Sequence, residues 1–111
     1  MDLAVSISRV VQGLPSDRIG THVAGQLVRC CTAPVANYAE AMGAESRRDF
    51  IHKMKLGLKE LRESQTWLRY SQRMRLVSTD EVELNLQECD ERIAIFVTSI
   101  RTAKQNLSER R

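Results

Sequence analysis

The chain has 111 residues, of which 42% are apolar and 28% charged, and its formal net charge is +3. This fits one globular domain and excludes the disordered, collagen-like and disulfide-scaffold classes. No apolar run approaches the ~18 residues of a membrane span, so no membrane association is expected.

Met1 to Leu14 lacks the marks of a secretory signal. Asp2 stands where a basic region belongs, and Arg9 interrupts the apolar stretch. The expected location is the cytoplasm. There, Cys30, Cys31 and Cys89 read as small buried hydrophobes and not as bridges or ligands.

With five Gly and two Pro, the chain has too few turn signals for a β-protein. Three punctuated stretches stand out: Gly13 to Asp17, Met42 to Ser46 and Leu76 to Asp80. They divide one domain, residues 1–111, into four predicted helices at about 2–12, 17–42, 46–75 and 79–107. The first carries Leu3, Ile7, Val10 and Leu14 on one face. The second carries Val23, Leu27, Cys30 and Pro34 and starts at a Ser16 or Asp17 cap. Pro34 removes one backbone hydrogen bond and is expected to kink this helix near Cys30; the alternative is a break at Ala33. The third starts at a Ser46 cap and carries Ile51, Met54, Leu58, Leu61 and Leu68, with Gln65 the one polar intruder. In the fourth, Val82, Leu86, Cys89, Ile93, Phe96, Ile100, Ala103 and Leu107 form an unbroken seam of alternating four- and three-residue steps. Short loops force neighbours to run antiparallel, so the predicted fold is all-α: an up-down-up-down four-helix bundle.

At about 17 Å, the first helix is too short to cover the groove made by the others. The remaining apolar surface favours self-association. Leu56, Trp67 and Tyr70 of the third helix and Leu84 and Ile95 of the fourth fall off the seam and are the expected oligomer interface.

Charge is the most informative functional feature. Residues 46–75 hold nine Lys and Arg against three acids, whereas 79–107 hold three against six. Arg48, Lys55, Arg62 and Arg69 recur every seven residues along ~31 Å of helix. Lys59 and Arg73 are expected to flank the seam on its other side. Such a stripe suits a phosphate backbone, and Arg48, Lys55, Lys59, Arg62 and Arg69 are the candidate contacts to RNA or DNA. The competing reading is helix pairing: in an antiparallel hairpin Arg69 meets Glu83 and Arg62 meets Asp90, while Lys55 and Arg48 face Val97 and Lys104 and stay unpaired. Asn37 and Glu40, one turn apart on the second helix, are expected to be buried polar or structural residues, with Glu40 bonding Arg47 or Arg48.

His22 and His52 have no ligand spacing, and there is no Gly-rich phosphate loop, paired zinc-type cysteines or nucleophile elbow. No metal, cofactor or enzymatic activity is expected.

Three stretches carry a resemblance: Cys30 to Ala41, with its Asn37-Tyr38-x-Glu40-Ala41; Ala44 to Lys53, with Ser46-x-x-Asp49-Phe50-Ile51-x-Lys53; and Leu58 to Leu68, with Leu58-Lys59-Glu60 and Trp67-Leu68. Together they resemble the bacterial four-helix-bundle proteins encoded in 23S ribosomal RNA intervening sequences. The accessory variability protein of diversity-generating retroelements is similar to that family. The resemblance covers roughly residues 19–105. It implies a bundle assembled as a homopentamer and, in the retroelement branch, binding to nucleic acid and to a reverse transcriptase. It supplies no catalytic residues. The chain departs from the pattern in its shorter first helix and in Pro34, where a turn-prone or small residue is more common. The function expected is a non-enzymatic, self-assembling module that associates with nucleic acid. The alternative is a protein-interaction scaffold.

Overall fold

The computed structural model describes residues 1–109. Four helices follow in order: α1 (Asp2–Gln12), α2 (Arg18–Met42), α3 (Arg47–Arg73) and α4 (Thr79–Glu109). They form a rod of 54 × 21 × 19 Å. The backbones pack in cyclic order, α1 on α2, α2 on α3, α3 on α4 and α4 on α1, and among the described residues the diagonal pairs have no close backbone approach. This is the antiparallel four-helix bundle that the seams predict.

The starts form where side chains can replace missing helical acceptors. Asp17 accepts the Gly20 N–H at 2.8 Å, and Ser46 accepts the Asp49 N–H at 3.0 Å. Close packing around the first of these caps needs Gly20, because a Cβ there would lie 1.9 Å from the Pro15 carbonyl oxygen. α2 runs unbroken through buried Pro34 to Met42, which excludes a break at Ala33.

The seams meet in one core. Ile7, Val23, Leu27, Cys30, Met54, Leu68, Val82 and Cys89 are almost fully buried. Gln65 is buried too and donates to Asp90. Asn85 is a buried polar residue with a partner on α1: the Ser6 hydroxyl donates to its Oδ1 at 2.7 Å. α1 covers only part of the rod. Beyond its N-terminus, Tyr38 of α2 reaches Phe96 of α4 across the diagonal, with ring centroids 6.2 Å apart.

Candidate nucleic-acid interface

The charges of α3 are segregated around its axis. Projected at about 100° per residue, Arg48, Lys55, Lys59, Arg62, Arg69 and Arg73 share an arc of about 80°. Asp49, Glu60 and Glu63 share a separate arc turned toward α2. Lys59 and Arg73 therefore join the stripe and do not lie across the seam, because a heptad b position stands only about 60° from e.

On the α2 side the charges are paired. Arg29 bridges Glu60, at 3.0 Å, and Glu63, one turn apart on α3. The two carboxylates, Glu63 foremost, raise the Arg29 pKa above its ordinary value. Lys53 meets Glu40 at 3.2 Å. By contrast, Arg48, Lys55, Lys59, Arg62 and Arg69 are all exposed, and none is ion-paired among the described residues.

The expected pairs Arg69–Glu83 and Arg62–Asp90 do not form among the described residues. Gln72 donates to Glu83 at 2.7 Å, and Gln65 donates to Asp90. The α4 acids thus sit nearly one turn further along α3 than the expected register, opposite glutamines on the seam edge. The arginines remain outward.

At the other end of the hairpin, Arg48, Ile51, His52, Lys55, Lys104 and Leu107 line a cleft of about 300 Å³. The heptad register places Lys104 opposite Arg48 alone; in the structure it also meets Lys55. The close approach of the Lys55 ammonium, which repels a second positive charge, holds the Lys104 pKa below the ordinary lysine value. Sequence spacing gives no sign of this meeting, because it sets Lys55 against Val97.

The remaining candidates divide. Leu56, Tyr70, Leu84 and Ile95 are exposed, as their off-seam positions require. Trp67 is not an outward residue: it is half-buried in the α2–α3 groove, edge-on to His22 at 5.6 Å and to Tyr70 at 5.7 Å. Asn37 is half-buried. Glu40 is exposed, contrary to expectation, and reaches Lys53 instead of Arg47 or Arg48 because Lys53 lies on the α2 side of α3. The buried polar positions that the seams do not reveal are Ser64, Ser71 and Asn85. Ser64 and Ser71 return their hydroxyls to the carbonyls of Glu60 and Trp67, at 3.0 and 2.8 Å. The thiols of Cys30 and Cys89 are pushed up to about 11 and about 12, mainly by burial.

No curated protein matches the chain. It is similar to a protein of unknown function from the S23 ribosomal protein family of Bacteroides thetaiotaomicron, known from a crystal structure. The two share 28% identity over 89% of this chain and 92% of that one, with a TM-score of 0.83. The pattern of the family described as 23S rRNA-intervening sequence protein matches residues 1–98, which include α1, α2, α3 and most of α4. The chain belongs to the 23S rRNA-intervening sequence protein family.

Proposed function

We propose that the protein is a non-enzymatic helical module that associates with nucleic acid through the outer face of α3. The observation that carries this reading is the unpaired stripe. Six cations share one arc while the acids of the same helix are turned toward α2. A rigid helix holds the spacing of these charges before any ligand arrives, so little backbone freedom is lost on binding. Phosphates that meet the stripe release condensed counterions, which makes association favourable and salt-dependent. RNA and DNA both offer this backbone.

Self-association is the second part of the reading. The flank beside α1 is an apolar groove of about 890 Å³ that includes Val5, Val35, Ala36 and Ala39. A second copy is the partner proposed for it, and assembly would sum the positive charge of several chains.

Fluorescence anisotropy with a labelled single-stranded RNA and a DNA duplex tests the nucleic-acid reading. Binding to at least one of them is expected, with its loss in the Arg48→Glu/Lys55→Glu variant at unchanged helicity. Equal binding by the variant would overturn the assignment to α3. A scaffold would bind neither nucleic acid.

A further inference from the structure

The stripe is not electrically uniform along the rod. The first part of α4 carries Asp80, Glu81, Glu83, Glu88, Asp90 and Glu91. It lies beside the C-terminal half of α3, where Glu83 and Asp90 bond Gln72 and Gln65. These acids weaken the field around Arg62 and Arg69. The later part of α4, residues 93–108, has Arg101 and Lys104 and no acid. It lies beside the N-terminal half of α3. The acids at that end are Glu40, Glu45, Asp49 and Glu109, the last at the end of α4, where it accepts from Gln105 at 3.3 Å. Glu40 is held by Lys53, Glu45 lies in the α2–α3 connection, and Asp49 lies on the α2 side of α3.

Positive charge therefore concentrates where α3 and α4 make a concave surface. Arg48 and Lys55 from one helix and Lys104 from the other line the cleft, with His52 as a further nitrogen donor and Ile51 and Leu107 as its apolar lining. Lys55 and Lys104 face each other with no carboxylate between them among the described residues. Two ammonium groups at close quarters repel, and an anion bound between them would attract both and outweigh that repulsion. A tetrahedral oxyanion in the cleft can accept from both helices at once, whereas one on the flat stripe can accept from α3 alone.

We propose that the cleft between α3 and α4 is a discrete phosphate site, in which Arg48, Lys55 and Lys104 clasp one phosphate group of a nucleic-acid strand. This deepens the nucleic-acid reading and rests on it for the source of the phosphate. The strand is anchored at this end of the rod and follows the stripe toward Arg69 by weaker, non-specific contacts. Lys104 becomes a ligand that contributes from outside the stripe.

Two measurements separate this site from the wider reading. The first titrates inorganic phosphate into the full chain, follows amide shifts by NMR, and uses chloride at matched ionic strength as the control. Saturable shifts at Arg48, His52, Lys55 and Lys104 are expected with phosphate, lost in Lys104→Gln and kept in Arg69→Gln. Shifts that chloride reproduces, or that survive in Lys104→Gln, would overturn the site. The second compares affinity for a labelled single-stranded RNA in two double variants. Lys55→Gln/Lys104→Gln is expected to lose about tenfold or more, and Arg62→Gln/Arg69→Gln less than about threefold. Equal losses would overturn the site and leave the α3 stripe standing. Saturable phosphate binding without RNA binding would keep the site and overturn the nucleic-acid reading.

Discussion

Gly57 is the point at which α3 admits the ring of Phe96. A Cβ at this position would lie 2.7 Å from Phe96 Cε2 and 3.4 Å from Asn37 Cβ. Ala gains about 1 kcal/mol of helix propensity over Gly, but overpacking a buried ring costs about 1–3 kcal/mol. Gly57→Ala is therefore expected to lose about 1 kcal/mol net in urea unfolding, and Phe96→Leu in the same chain to recover part of that loss. Gly25 is the control: a Cβ there meets nothing within 4 Å, so Gly25→Ala should gain up to about 1 kcal/mol. A stabilised Gly57→Ala would mean that Phe96 is not held against α3. The buried thiols make a second prediction at this scale. Cys30 and Cys89 stay neutral in the fold until about 11 and about 12, against an ordinary 9.0. Above pH 9 the unfolded chain loses thiol protons that the folded chain keeps, so stability should fall as pH rises through this window. Replacing Cys89 with Ser or Ala should flatten that fall in urea unfolding followed against pH, and an unchanged slope would place the titration elsewhere.

Among the helices, the end of α3 carries an unusual feature. Arg75 has φ 56°, in the left-handed region that disfavours a side chain. It sits where a Schellman turn requires that conformation: the Leu76 N–H reaches the Ser71 carbonyl at 2.9 Å, and the Arg75 N–H reaches the Gln72 carbonyl at 3.1 Å. Arg75→Gly is expected to raise the melting temperature, with about 0.5–1 kcal/mol gained after Gly's own entropy cost. A lower melting temperature would mean that the Arg75 side chain contributes more than its backbone costs. This turn is hard to read in the sequence because no glycine marks it. The helices themselves are legible, since the seam residues and the Asp17 and Ser46 caps bound them closely. The pairing of α3 with α4 is not. The heptad pattern gives which face of α3 meets α4 but leaves the axial register free by about one turn. The glutamine contacts to Glu83 and Asp90 fix it, and with it the meeting of Lys55 and Lys104. The stripe is legible because its residues recur at seven. The cleft is not, because it depends on that register and on a second helix.

Over the whole molecule, the short α1 and the polarity of charge along the rod define what the surface offers. α1 leaves an apolar flank beside α2, on the opposite side of the bundle from α3. The basic face of α3 is thus separate from the flank proposed for self-association, so both contacts fit one chain. Aligned copies would present parallel basic faces, and the salt dependence of binding would steepen with the number of phosphates met. The most direct measurement is the slope of log affinity for single-stranded RNA against log salt, between about 50 and about 200 mM. Three or more phosphates on the stripe predict a slope of about −2 or steeper for single strands, reduced by about one unit or more in Arg48→Glu/Lys55→Glu. A slope near zero, or one that the variant leaves unchanged, would contradict an α3 phosphate track.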